Sequence, residues 1–282
     1  MQVIRDFLSA KPIPTVLTIG VFDGVHLGHQ ALIGHVVDAA HATGRRAAVV
    51  TFFPYPYVVL GHGLPYYLTP TEEKLALFEQ LGIDLSVVIE FTLQTAHMPA
   101  AGFVDRLVNQ LGMVELWVGH DFALGYRREG NVAYLRQAGA RYGFVVNELG
   151  ATALGGEVIS SSRIREALRA GDVITARHYL GRPYRLSGTV VNGARRGRSI
   201  GIPTANLDVW SEKAVPLSGV YACMAHVERA SYRAVVNIGT RPTFDNGATT
   251  IEAHLLDFEG DLYGQLLSIE FIARLRDERR FK

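Results

Sequence analysis

The sequence predicts two folds in series: an α/β domain over residues 1–170 built as a doubly wound parallel sheet, a linker at 171–184, and a small antiparallel β-barrel over 185–282. Three observations carry this. Up to about residue 170, short apolar runs alternate with amphipathic segments of helical period, the pattern of a parallel sheet covered on both faces. After Gly171 the apolar runs are separated by turns rather than helices, and strands of that kind lose their exposed edges by closing into a barrel. Between the first apolar run and its helix lies Gly20-Val21-Phe22-Asp23-Gly24-Val25-His26-Leu27-Gly28-His29. A ligand site is expected there, because open sheets bind ligands beyond the carboxyl ends of their strands.

In chain order, strands are expected near 15–22, 46–53, 85–90, 114–118 and 144–148, and helices near 29–42, 71–81, 100–111, 131–142 and 161–170. Val16 to Phe22 is apolar and β-branched enough for a buried strand, and Leu32, Val36 and Ala40 recur at helical spacing in the segment that follows. Thr69-Pro70-Thr71-Glu72 has the form of a helix start, with Thr69 as N-cap, Pro70 in the first helical position and Glu72 reaching back. Gly171-Asp172 and Gly181-Arg182-Pro183 punctuate a short helical piece at the boundary. Beyond it, strands are expected near 185–191, 219–227, 231–238, 250–258 and 266–274.

The composition excludes several classes. At 282 residues the chain is long enough for two cores. Lys plus Arg number 28 against 27 for Asp plus Glu, so the net charge of +1 offers no broad field for nucleic acid or anionic lipid, and neither is an expected partner. The single cysteine, Cys223, cannot form an intrachain disulfide or a cysteine-rich metal site, which fits a reducing, cytoplasmic setting. The opening MQVIRDFLSAKPIPT carries no secretion signal. Residues 47–71 lack charged side chains, but Pro54, Pro56, Pro65 and Pro70 would break a membrane helix repeatedly, so no span is expected. A homo-oligomer is compatible with this composition.

In the first half, the turn at residues 20–29 sits at a helix N-terminus, where backbone N–H groups and the helix dipole favour an anion. Gly24 and Gly28 let a phosphate approach the main chain, and His26 and His29 supply donors for phosphate oxygens. Polyphosphate is the expected ligand. A second loop, Val118-Gly119-His120-Asp121-Phe122-Ala123-Leu124-Gly125-Tyr126-Arg127-Arg128-Glu129-Gly130-Asn131, follows a strand and is expected to line the same cleft. Asp121 suits a ribose, a metal or a base edge, while Arg127 and Arg128 are either part of the site or a solvated rim. In Ser160-Ser161-Ser162-Arg163-Ile164-Arg165, hydroxyls at a helix start precede a guanidinium one turn in, which suits a phosphate clamp through Ser161, Ser162 and Arg165.

In the second half, Gly193-Ala194-Arg195-Arg196-Gly197-Arg198-Ser199-Ile200-Gly201 reads as a loop folding over one polyphosphate, its glycines and the neutral overall charge weighing against a nucleic-acid patch. It leads into Pro203-Thr204-Ala205-Asn206, whose Thr204 hydroxyl and Asn206 amide oxygen are hard ligands of the kind Mg²⁺ accepts beside water and nucleotide oxygens. Asn237-Ile238-Gly239-Thr240-Arg241-Pro242-Thr243-Phe244 and Ile251-Glu252-Ala253-His254-Leu255 follow.

Taken in order, these motifs resemble the prokaryotic bifunctional riboflavin kinase/FMN adenylyltransferase (FAD synthetase) family across nearly the whole chain, the first half matching its nucleotidyltransferase module. The resemblance implies that residues 1–170 transfer AMP from ATP to FMN, giving FAD and pyrophosphate, and that residues 185–282 phosphorylate riboflavin to FMN, with ATP and Mg²⁺ required in both steps. It implies that His26 and His29 are catalytic, stabilising charge on the ATP phosphates, with Gly20, Phe22, Asp23, Gly24, Gly28, Ser161, Ser162 and Arg165 binding ATP and Asp121 and Phe122 near the flavin. In the second module it implies Glu252 as general base for the riboflavin 5′-hydroxyl, since a carboxylate in an apolar strand is costly to bury without work to do. Gly197, Gly201 and Pro203 would bind ATP, Thr204 and Asn206 the metal, and Asn237 and Arg276 the flavin. Three departures stand out: Pro54-Tyr55-Pro56 where many relatives have Pro-His-Pro, Ala123-Leu124 where many have Arg-Phe, and an end at Lys282 where relatives continue into a helical stretch. The first two motivate an alternative, a riboflavin kinase whose impaired adenylyltransferase domain is a flavin- or nucleotide-binding regulator.

Overall fold

A computed structural model describes residues 1–61, 63, 66–192, 204–240 and 249–278. Contact density divides the chain into two compact units, Met1–Pro65 with Thr69–Ile159, and Tyr66–Leu68 with Ser160–Lys282.

The first unit contains β1 (Gln2–Ile4), β2 (Thr15–Ile19), α1 (Leu27–Ala42), β3 (Arg46–Phe53), α2 (Thr71–Gln80), β4 (Leu85–Glu90), α3 (Ala100–Asn109), β5 (Met113–Gly119), α4 (Val132–Tyr142) and β6 (Val145–Leu149). The six strands of its main sheet lie in the order β1-β4-β3-β2-β5-β6, and every pairing in that sheet is parallel. Strand side chains alternate between faces, and here both faces are covered. Leu17, Ile19, Ala48 and Val50 pack with Phe103, Val104 and Leu107 of α3 and Leu135 of α4. Val16, Ala47 and Val49 pack with Leu32, Ile33, Val36 and Ala40 of α1 and Phe78 of α2. The sheet is doubly wound as expected, and its order reverses direction between β2 and β5. That switch point places the loops after β2 and β5 beside one crevice.

Two details differ from the sequence expectation. β1 was not anticipated, because three residues are too few for a periodic signal. The helix expected to be capped by Thr69 starts at Thr71 with Pro70 in the cap position and no side-chain cap; Glu72 and Glu73 in its first turn complement the dipole instead. Thr69 is drawn away by the turn after β2, where its hydroxyl accepts from Gly24 N at 3.0 Å.

The second unit contains α5 (Ser161–Arg169), α6 (Val173–Leu180), β7 (Tyr184–Val191), β8 (Ala205–Val209), β9 (Gly219–Val227), β10 (Ala230–Thr240), β11 (Thr249–Leu255) and β12 (Leu266–Arg276). The strands form a closed barrel in the order β7-β8-β11-β10-β9-β12, antiparallel throughout. Tyr221, Cys223 and Ala225 on β9 are buried, and burial pushes the Cys223 thiol up to about 12, so it is a packing residue. β8 is a strand where the sequence suggested only a polar tetrapeptide, and β11 ends at Leu255, short of the expected 258, because Asp257 takes a φ of 58°.

The 170/185 division also shifts. α5 and α6, expected in the first domain and the linker, pack with the barrel unit, burying Ile164, Ala167 and Leu168 and then Val173, Ala176, Tyr179 and Leu180. Leu217 N donates to Leu168 O at 2.9 Å. An amphipathic helix carries no label for the core it covers, so periodicity alone cannot assign these two to a unit. Tyr66–Leu68 belongs to this unit too: Tyr67 stacks on Trp210, and Lys213 Nζ donates to Leu68 O at 2.7 Å.

Candidate functional site

The turn after β2 is buried and conformationally demanding. Phe22 and Val25 hold φ of 52° and 41°, and Gly24 holds 83°. Left-handed backbone at non-glycine residues costs roughly 1–3 kcal/mol each and persists where surroundings enforce it, typically at functional sites. Here burial enforces it, since Phe22 and Val25 are core residues of the face covered by α1. A Cβ on Gly28 would lie 3.3 Å from the His26 ring, so any larger residue there would press on that imidazole.

His26 is the N-cap of α1, its Nδ1 accepting from His29 N at 3.3 Å, which leaves the ring proton on Nε2. The His26 and His29 rings stack with centroids 3.6 Å apart, and Phe22 meets His29 edge-on at 5.1 Å. Burial, then the neighbouring His26 and Lys74, hold the His29 pKa well below the usual histidine range. His29 Nδ1 is buried with no hydrogen-bond partner among the described residues. A buried polar nitrogen left unmatched at a helix N-terminus is a place for a ligand atom.

Beneath the turn lies a set of groups the motif did not disclose. Asp23 Oδ1 accepts from Tyr55 OH at 3.1 Å and from Thr69 N at 3.0 Å, and Tyr55 OH also lies 3.1 Å from Thr69 O. Lys74, fully buried, donates to Val21 O at 3.0 Å and to Thr51 Oγ1 at 2.9 Å, with its ammonium 4.8 Å from the Tyr55 ring centroid. Burial pushes the Lys74 amine down to about 7, opposed by Asp23. Burial, with Asp23 adding to it, raises the Tyr55 phenol well above its usual value. Tyr55, the first departure from the family pattern, therefore has a defined place holding Asp23. A helical wheel could have revealed Lys74, because it shares the buried stripe of α2 with Thr71 and Phe78.

After β5, the second loop bends back onto the start of α3. Glu129 Oε1 accepts from Ala100 N at 2.7 Å, Tyr126 N donates to Met98 O at 2.9 Å, and a Cβ on Gly125 would strike Ala100 N at 2.6 Å. This anchorage presents Asp121 at the surface and Phe122 half-buried, packed against the core with Leu124. Arg128 Nη2 donates to Asp121 O at 2.6 Å, so its guanidinium serves this loop's shape.

In the second unit, Ser160 and not Ser161 or Ser162 caps α5, its hydroxyl accepting from Arg163 N at 3.4 Å. Ser162 is exposed, and Arg165 Nε donates to Tyr66 O at 2.9 Å. Gly197, Gly201 and Pro203 lie outside the described residues. The barrel register assembles the rest. Asn206 on β8 is paired with Glu252 on β11, Glu252 with Asn237 on β10, Asn237 with Val220 on β9, and Val220 with Arg276 on β12. Four residues separated by up to 70 positions in sequence thus share one transverse row. Asn206, Glu252 and Asn237 are each half-buried between buried neighbours, so they point from the outer face of the wall. Thr204 lines a neighbouring cavity of about 540 Å³ with Val190, Ala253, Phe258, Asp261 and Tyr263.

Among the described residues no cluster of three or more His, Cys, Asp or Glu could hold a metal. The two expected metal ligands, the Thr204 hydroxyl and the Asn206 amide, are neutral hard oxygens, which fit Mg²⁺ shared with nucleotide phosphates and water and do not fit a softer ion. No helix among the described residues is long and apolar enough to cross a membrane.

The chain carries a strained, histidine-bearing turn at the switch point of a doubly wound sheet and a carboxylate-bearing row on a closed barrel, and the family comparisons make it a two-part nucleotide-dependent transferase. Residues 8–163 match the family model described as FAD synthetase, and residues 180–282 match the one described as riboflavin kinase. The curated bifunctional riboflavin kinase/FMN adenylyltransferase of Haemophilus influenzae is 37% identical over 286 residues, covering 100% of this chain and 92% of that protein. Those of Pseudomonas fluorescens and Bacillus subtilis are 39% and 38% identical, covering 100% and 95% of this chain and 91% and 86% of theirs. A crystal structure from Streptococcus pneumoniae described as a macrolide-efflux protein superposes with a TM-score of 0.92 at 28% identity, covering 99% of this chain and 92% of that one. The chain belongs to the bifunctional riboflavin kinase/FMN adenylyltransferase family, with the FAD synthetase part N-terminal and the riboflavin kinase part C-terminal.

Proposed function

We propose that this riboflavin kinase and FMN adenylyltransferase works through two residue sets, one in each unit. In the sheet unit, the turn at residues 20–29 takes the ATP phosphates. The FMN phosphate attacks the α-phosphorus and pyrophosphate leaves. The attacking group is already an anion at neutral pH, so this step needs placement and charge stabilisation, supplied by His26, His29 and the N-terminus of α1. Asp121 and Phe122, on the loop after β5, lie at the same switch point and face the flavin. The observation carrying this reading is the unmatched, buried His29 Nδ1.

In the barrel unit, Glu252 takes the proton of the riboflavin 5′-hydroxyl as that oxygen attacks the γ-phosphorus, while Asn237 and Arg276 in the same row contact the flavin. Thr204 and Asn206 hold Mg²⁺, which when bound would neutralise charge on the β- and γ-phosphates. Dependence on ATP and a buried, unreactive Cys223 fit a cytoplasmic setting. Tyr55 and Leu124 are built into the fold of the sheet unit, the first holding Asp23 and the second buried in the core, so nothing here favours a regulator that has lost adenylyl transfer.

The test is to incubate the protein with riboflavin, ATP and Mg²⁺ and separate the flavins by chromatography. FMN should accumulate first and FAD follow, with pyrophosphate released in step with FAD. Unchanged turnover after chelation with EDTA would remove the metal assignment to Thr204 and Asn206.

A further inference from the structure

Lys74 has no part in the family motifs named above, yet it is the fully buried cation beneath the phosphate turn. A lysine enclosed this way is costly unless its donors are matched and its position has a use. Its donors reach Val21 O at 3.0 Å, within the turn itself, and Thr51 Oγ1 at 2.9 Å on β3. The Thr51 hydroxyl in turn donates to the same Val21 carbonyl at 3.2 Å, so two elements close on one peptide of the turn. On the other side, Thr69 Oγ1 accepts from Gly24 N at 3.0 Å, and Asp23 Oδ1 gathers Tyr55 OH and Thr69 N. The backbone at positions 21, 23 and 24 is thereby fixed from below by side chains from β3, the segment after it, and the start of α2.

We propose that Lys74 is a positioning residue for adenylyl transfer: by holding the Val21 carbonyl, in concert with Thr51, Asp23, Tyr55 and Thr69, it sets the left-handed turn and the His29 ring in the geometry that receives the triphosphate. This rests on the reading that the turn binds ATP phosphates. Lys74 does not touch substrate; it acts through the turn. The charged and titratable groups that face it are Asp23 from the turn, Tyr55 from the segment after β3, and His29 from α1, which is itself stacked on His26. An anionic ligand above the turn favours the ammonium over the amine, so a lysine here adds positive potential where phosphate charge arrives, without occupying the site.

The experiment uses the full chain with Lys74→Met, which keeps the unbranched stem to within one atom of its length and removes its donors. FAD formation from FMN should fall about a hundredfold, the cost of misplacing a reacting centre by about 1 Å. FMN formation from riboflavin in the same preparation should stay within about twofold, showing that the protein is folded. In the parent, kcat/KM for ATP in the adenylyl step should fall as pH rises through about 7, where the free protein's Lys74 loses its charge; the variant should lack that limb. FAD formation near the parental rate, or a loss whose pH profile runs parallel to the parent's, overturns the inference. If Lys74→Met loses both activities, Tyr55→Phe reports on the same network: a loss of about tenfold in FAD formation alone, about the worth of one hydrogen bond to a charged group, supports it, and no loss overturns it. His29→Ala is run alongside. If that variant makes FAD at the parental rate, the reading of the turn has failed; if it is inactive while Lys74→Met is active, only the present inference has failed.

Discussion

The two candidate sites are built in opposite ways. In the sheet unit, the turn proposed to take the phosphates is ten consecutive residues, and what is dispersed is its support: Thr51, Tyr55, Thr69 and Lys74 arrive from later in the chain. In the barrel unit, the support is ordinary strand pairing, and what is dispersed is the chemistry, since Asn206, Asn237, Glu252 and Arg276 come from four strands and meet only through register. A turn bent into left-handed backbone needs side-chain props to keep its shape. A β-wall needs none, because a one-residue slip would turn the whole apolar set outward.

The contrast predicts where each site is fragile. Glu252→Gln should reduce FMN formation by about a hundredfold or more, the usual worth of a general base, and leave FAD formation from supplied FMN unchanged. Stopped assays on riboflavin and on FMN separate the two, and a loss in both would mean that the sites are not independent. His29→Ala should reduce FAD formation by about a hundredfold, as removal of one preorganised donor does, and spare the kinase step; a change in KM for ATP with unaltered kcat would confine His29 to ground-state binding.

A subtler effect concerns stability. Burial lowers the Lys74 amine to about 7 from its ordinary 10.5, so between those values the unfolded chain binds the extra proton, and this residue's contribution to stability rises with pH. Urea midpoints at pH 7.5 and 9.5 should show the parent gaining on Lys74→Met as pH rises; parallel curves would mean that the amine is not strained by burial. Smallest of all, Arg185→Ala removes a 2.6 Å contact to Glu270 on the barrel surface. Partly exposed pairs of this kind contribute about 0.2–1 kcal/mol, and thermal unfolding should register little more than that.

The same contrast explains what the sequence disclosed. Alternating apolar runs and helical stripes are local signals, so the doubly wound sheet, its strands near their true limits, and the His26/His29 turn were all legible. β8 was not, because Asn206 and Asp208 face outward and only Ala205 and Leu207 are buried, leaving too little apolar pattern after Pro203-Thr204. Without that strand the barrel does not close, and Asn206 has no reason to stand beside Glu252. The props beneath the turn were hidden for a different reason. Lys74 sits in TEEKLALFEQ, where a helical wheel places it on the buried stripe but does not say what that stripe faces, and Tyr55 stands where many relatives have a histidine; the tertiary fold brings both beneath the turn.

One further consequence follows from Phe22. Its backbone would be more comfortable as glycine by roughly 1–3 kcal/mol, yet its ring lies edge-on to both His29 and Phe78, 5.1 and 5.7 Å between centroids. Removing such a ring costs roughly 3–5 kcal/mol, so the aromatic wedge outweighs the twist it imposes. The loop behaves as a cocked latch with the benzene ring as its pawl: shaving the pawl would ease the main chain and let the imidazole wander.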